Sequence, residues 1–397
     1  MIVLYGLGTT IGAGIYALLG EIAQTSGMMA PWAFLVAASL ALLTALSFAR
    51  MVHRYPKAAG AALYVQNGFG SKRLGLMCGL IVIFAGLVSS AALLNGLVGY
   101  AQAFIYLDRS TIILIAVSAI GLVVCWGINL SVWVAGIITL LEIGGLMWGA
   151  TLASAEVANL NLTFSAALDS LFPTSLLSSG PIILSGAILA FYAFIGFEDL
   201  VEVAEEVKDA SNTLPLAIVT TLVISTLLYL FLVTSAVLAV GPTYLAQSNA
   251  PLSDLITRLT TVDPRYMSAI GVLAISNGAL IQVIMASRVL YGLGSRGQIP
   301  TFLAKVNKFT KTPVIATGLC ISIVVTLSLT GTVAKLTKTT SLLILIVFML
   351  VNLALVFDER RTTKPNPFVQ WQAGVAALVC AFLAIVAVME TLTPVDG

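Results

Sequence analysis

The chain has 397 residues, of which 59% are hydrophobic and only 9% charged; a soluble domain carries roughly 25% charged residues, so this is an integral membrane protein. Its net charge of +2 is too small to recruit nucleic acid, and its basic residues fall in short loops between apolar segments, where they set orientation. The single histidine, His53, excludes histidine metal sites and Ser-His triads. Cys78, Cys125, Cys320 and Cys380 each lie in an apolar segment without a CxxC pair and read as structural thiols.

Allowing about 20 apolar residues per crossing, the sequence predicts eleven spans, at 2–23, 30–51, 75–106, 110–127, 131–154, 181–203, 214–240, 268–294, 313–331, 340–357 and 370–392. Met1 and Ile2 supply no basic leader region and the apolar stretch runs past any cleavage point, so the first span is read as a membrane helix and not as a signal peptide. That span contains Gly6, Gly8, Gly12 and Gly14. Each glycine weakens a helix by roughly 1 kcal/mol relative to alanine, so the run predicts a break. A broken helix at membrane depth needs protein or a watery cavity to satisfy its backbone. The competing reading is close helix packing through the GxxxG of Gly8 and Gly12. A dinucleotide fingerprint is excluded, because the spacing is GxGxxxG and no strand precedes it.

The fifth span carries Glu142 midway, where a carboxylate costs about 2.5–3.5 kcal/mol and functional use is the default expectation. Glu142 is expected to take up and release a proton during the working cycle; an interhelical packing contact is the alternative. The sixth span runs through Phe191-Tyr192-Ala193-Phe194-Ile195-Gly196-Phe197-Glu198, a glycine followed by charge where hydrocarbon should continue. Glu202, Glu205, Glu206 and Asp209 follow as an acidic cluster, opposite the basic loops Arg50 to Lys57 and Arg288 to Lys311. They read either as a latch closing the inner side, with Glu206 as a gate residue, or as a solvated face whose ion pairs contribute only about 0–1 kcal/mol each. In the eighth span, Ser276 and Asn277 are candidates for a cation site or for interhelical hydrogen bonds. Glu21, near the outer end of the first span, reads as structural.

With the N-terminus cytoplasmic, fourteen Lys and Arg fall on the inner side against five outside, which predicts that orientation. The chain reads as one transmembrane domain with inverted repeats at about 1–155 and 181–357 and an extra helix at about 370–392. Interrupted helices at matching places in inverted halves predict a transport site at the bilayer midplane.

Four motifs, in order from residue 6 to about 315, carry a family resemblance. They are Gly8 to Ile15 with Gly20-Glu21; Tyr55-Pro56-Lys57-Ala58-Ala59-Gly60-Ala61-Ala62-Leu63-Tyr64-Val65 with Phe69-Gly70; Phe191 to Glu206 with Leu214-Pro215; and Ser287-Arg288-Val289-Leu290-Tyr291 with Gly297 to Pro300 and Thr312-Pro313. The sequence resembles the amino acid, polyamine and organocation transporters, most closely bacterial amino acid permeases and cationic amino acid transporters. The resemblance implies an all-α, LeuT-type fold of five plus five inverted helices, the first and sixth discontinuous, working by alternating access in a bacterial inner or plasma membrane. It implies an amino acid substrate whose carboxylate sits on the amides of Thr10, Ile11, Gly12, Ala13 and Gly14. Its ammonium would sit on the carbonyls of Tyr192, Ala193 and Ile195, with Phe194, Gly196 and Phe197 flanking. Free N–H groups at a helix start and free carbonyls at a helix end suit those charges.

Phe194 and Phe197 are further read as gates. Proton-coupled relatives carry on the fifth helix a lysine that stands in for sodium; Glu142 falls there instead, leaving the coupling ion, H+ or Na+, open. No organic cofactor and no enzymatic activity are expected, since the sequence has no HExxH and no deep pair of acids. Relatives also have an N-terminal tail and a twelfth span. An amine or polyamine carrier, and a channel, remain as rival readings.

Overall fold

A computed structural model describes residues 1–11, 14–57, 60–126, 132–160, 176–295, 297–310 and 312–392. Among these residues every regular element is helical. Helices α1 (Ile2–Ile11), α2 (Gly14–Ser26) and α3 (Ala30–Arg54) make one 53-residue apolar stretch. As a straight rod it would be roughly 80 Å long, more than twice the ~30 Å hydrocarbon layer, so it must cross twice. The reversal comes at the single 3₁₀ turn Gly27–Met29, where Gly27 takes φ +54°. Pro31 then sits in the first turn of α3, where a missing N–H is harmless.

There follow α4 (Gly60–Phe69), α5 (Lys72–Ala101), α6 (Arg109–Trp126), α7 (Val132–Asn159) and α8 (Leu176–Tyr192). A 3₁₀ helix, Phe197–Glu206, continues α8, and α9 (Ala210–Val240), α10 (Pro242–Ala246), α11 (Pro251–Leu259) and α12 (Arg265–Ser295) come next. The chain closes with α13 (Val314–Thr330), α14 (Val333–Arg360) and α15 (Pro367–Leu392). With 2–54 crossing twice and the shorter α13 crossing once, these helices cover the eleven expected spans.

The structure corrects several details. The third span ends at Ala101, not 106, because Asp108 starts the next helix by accepting a hydrogen bond from the Thr111 amide at 3.1 Å. The tenth begins at Val333, not 340, since Thr332 caps it and the Lys338 ammonium is matched by Glu390 at 2.8 Å. The expected long loop at 241–267 holds α10 and α11, and the loop after α3 holds α4.

Equivalent helices of the two halves pack on one another: α3 on α9, α5 on α12, α6 on α13, and α1 and α2 on α8 and its 3₁₀ continuation. That pairing is what a two-fold relation between repeats produces, and it brings both interrupted helices to the centre of the LeuT-type bundle.

The expected latch is partnered differently. Arg54, at the end of α3, pairs with Asp358 at 2.6 Å and with Glu359 at the end of α14, while Tyr55 donates to Asp358 at 2.7 Å. The basic side is therefore clamped between α3 and α14, and among the described residues no ion pair joins Arg54 to the cluster of Glu202, Glu205 and Asp209. The side chain of Glu206 lies outside the described residues. Replacing Arg54 by Gln leaves two acids facing each other without their cation, and thermal unfolding should report a loss of about 3 kcal/mol, the low end for an ion pair broken on one side.

Candidate functional site

In the first span α1 is described as far as Ile11 and α2 from Gly14, and the break expected at Gly12 and Ala13 lies outside the described residues. The sixth leaves the α-helix after Tyr192, turns through 193–196, and resumes as the 3₁₀ helix. Gly196 has φ +125°, and a Cβ there would run into the carbonyl of Thr9. A Cβ on Gly14 would stand 2.7 Å from Ala193 Cα. The first span and the interruption of the sixth thus touch backbone to backbone, which only glycine permits at these points.

Side chains then bind the freed groups. Thr9 Oγ1 donates within 2.9 Å of the Gly196 carbonyl. The Tyr229 hydroxyl, from α9, lies 3.0 Å from both the Thr10 and Ala193 carbonyls, so one proton is shared between the first and sixth spans. Tyr192 is anchored to α5 by Ser89, hydroxyl to hydroxyl at 2.8 Å. The Ile195 amide donates to the Tyr192 carbonyl at 3.1 Å, and the Glu198 carboxylate accepts from the Gly196 amide at 2.8 Å. Each carbonyl retains a second lone pair for a ligand.

Around the crossing lies a cavity of about 20 Å³, lined by Thr9, Thr10, Gly14, Ser89, Tyr192 and Ile195 among others, room for about one water. It shares Ser89, Ile195 and Gln282 with a cavity of about 320 Å³ that extends toward Ala61, Arg288 and Gly292 on the basic side. Glu198, Asp199 and Glu202 of the 3₁₀ helix line this larger space. The opposite side is closed. A Cβ on Gly20 would lie 3.0 Å from the Leu245 carbonyl oxygen, Tyr100 donates to the Tyr16 carbonyl at 2.9 Å, and the Leu252 amide reaches Tyr100 at 3.5 Å.

The aromatic candidates pack elsewhere. Phe194 sits in a triangle with Phe34 and Tyr229, centroids 6.2 and 5.3 Å away, and Phe197 in a cluster with Phe48 and Phe348 at 5.7 and 5.3 Å. Both are fully buried. Ile11 is buried beside the break. Glu142 is 1% exposed on α7. Tyr16 donates to its backbone carbonyl at 2.8 Å and Asn277 is the adjacent polar side chain, yet neither carboxylate oxygen has a hydrogen-bond partner in normal geometry. Ser276 is half-buried next to Asn277.

Two features escaped the sequence reading. Tyr229 carries no local pattern that marks it. Asp199 did carry one, next to Glu198 inside an apolar span, but the deep pocket it lines exists only in three dimensions, and Glu202, expected in an acidic cluster on the inner side, lines that pocket as well.

The profile of a family described as "Amino acid permease" matches residues 2–395. An uncharacterized transporter of Mycobacterium tuberculosis is 28% identical, covering 92% of this chain and 82% of its own. The branched-chain amino acid permease BcaP of Bacillus subtilis is 26% identical over 96% of this chain and 86% of its own. A vacuolar cationic amino acid transporter of Arabidopsis thaliana is 28% identical, over 80% of this chain but only 53% of its own length.

Gly196→Ala forces a side chain into the Thr9 carbonyl at a φ that L-residues avoid. Thermal unfolding should show it destabilised by about 1–3 kcal/mol or more, whereas Gly180→Ala, in a helix with open space around it, should be neutral or stabilising by up to roughly 1 kcal/mol.

Proposed function

The chain belongs to the amino acid permease family, and from that premise we propose that it carries amino acids by alternating access, driven by protons or by exchange. The observation that carries this reading is the backbone contact of the first span, at Thr9 and Gly14, with the break in the sixth. Free peptide N–H and C=O groups meeting at one place are what a zwitterion requires. The substrate carboxylate goes to the amides of Thr10 to Gly14, and its ammonium to the carbonyls of Tyr192, Ala193 and Ile195. A cavity open toward the basic side with the opposite side sealed corresponds to an inward-facing state, given an N-terminus in the cytoplasm.

Glu142 serves as the proton-coupling group on this reading. It is buried at mid-membrane, lacks a cationic neighbour and lies on α7, which packs on α1, so its charge state can bias the helix that carries the substrate peptides. Asn277 lies beside it and supplies its polar surroundings.

A second reading, an amine or polyamine carrier, is favoured by the carboxylates of Glu198, Asp199 and Glu202 in the larger cavity. An amino acid with a cationic side chain satisfies both the peptide groups and these acids, and the name of the Arabidopsis relative agrees with it.

In a thermal-stability screen of purified protein, a bound amino acid at a hundredfold over its Kd should add about 2.7 kcal/mol; its methyl ester should add nothing, whereas equal stabilisation by the ester would favour the amine carrier. In proteoliposomes, Glu142→Gln should abolish uptake driven by a pH gradient and keep substrate counterflow. Retained pH-driven uptake would remove Glu142 from the coupling.

A further inference from the structure

Glu142 lines neither the small nor the large cavity, so a proton bound for it needs its own way in. Helix α9 offers one. Thr221, Ser225 and Tyr229 recur every four residues and therefore share the face of α9 that packs on α1. Thr221 meets α1 at Gly6, where a Cβ would lie 2.6 Å from its Oγ1. Tyr229 meets α1 at Thr10.

Hydroxyls in this chain ordinarily bond back to their own helix. Thr226 does so to Leu222 at 2.7 Å on the same α9, and Ser322 and Thr326 do so on α13. Thr221 Oγ1 and Ser225 Oγ do not: both residues are 0% exposed and neither oxygen has a hydrogen-bond partner. Buried polar atoms left open in this way are satisfied by ordered water. Oxygens four residues apart on a helix stand about 6 Å apart, close to twice the ~2.8 Å of an O–H···O bond.

We infer that Thr221 and Ser225, bridged by water along α1, form a proton route to Glu142 separate from the substrate cavity; this rests on the reading of Glu142 as the coupling carboxyl. The route begins at Gly6, one residue from Tyr5, which lines the large cavity. A hydronium there gives its proton to the first water. Each hydroxyl accepts a proton from behind and releases its own ahead, and the carboxylate of Glu142 becomes a neutral acid with no other bond changed.

The groups facing Glu142 are uncharged: Tyr16 from α2, Tyr229 from α9 and Asn277 from α12. Helix α11, which also packs on α7, brings Asp254 and Arg258, engaged by Ser248 and by the Tyr244 ring respectively. Among the described residues, then, no fixed charge near Glu142 competes for the proton.

The test is an acid jump on the purified full chain, followed by time-resolved infrared spectroscopy, with the Glu142 carboxyl band identified by its loss in Glu142→Gln. Thr221→Val with Ser225→Ala should slow the rise of that band about tenfold or more at unchanged final amplitude, and Thr221→Ser should restore the rate. Ser225→Ala alone, which keeps the Thr221 contact with Gly6, gives the same readout if the double variant does not fold. An unchanged rate overturns the route and leaves Glu142 as the coupling group, its proton arriving through the crossing past Thr10. Absence of any Glu142 band change in the wild type overturns the coupling reading itself.

Discussion

Lipid offers no hydrogen bonds, so every peptide group within it must be satisfied by protein or enclosed water. This protein opens its sixth span at mid-membrane and satisfies much of what that exposes by laying the opened backbone against the first span. Thr9 reaches across to Gly196, and Tyr229 holds one carbonyl from each side with a single proton. The remainder of the bundle exists to keep those two short stretches of backbone in register. The paired packing of equivalent helices, α3 on α9 and α5 on α12 above all, fixes the frame.

The frame is asymmetric in a way that matters for transport. On one side, α10 and α11 lie over α2 and α5 and leave no room at Gly20. On the other, the large cavity climbs from α4 and the end of α12 to the crossing. The clamp of Arg54 with Asp358 and Glu359 stays closed while this cavity is present. It joins two elements that hold together around the opening, so it is a fixed strut of the basic side.

Much of this was legible in the residues. Gly196 before Glu198 marked the break in the sixth span, where a positive φ takes the chain out of the α-helix, and the first span's glycines allow the close approach seen at Gly14. Helix lengths were less legible: Lys335 and Lys338 hid the first two turns of α14 from a hydropathy reading, as their charges are met by water and Glu390. Phe194 and Phe197 looked like gates because they flank a break, but the direction of a side chain depends on how the turn is wound. Here it sends both rings into aromatic clusters. Tyr229 was invisible, since what it joins is separated by more than two hundred residues on one side.

The second half of the sixth span has a geometric consequence of its own. Ten residues wound as a 3₁₀ helix reach about 20 Å, against about 15 Å for the same residues as an α-helix. Phe197–Glu206 therefore carries about 5 Å of slack, roughly a full α-helical pitch. Its threefold winding stacks the side chains of Asp199, Glu202 and Glu205 along one side. Tightening the coil would fan them apart and draw the start of α9 toward Gly196, so a reserve of length sits in these ten residues.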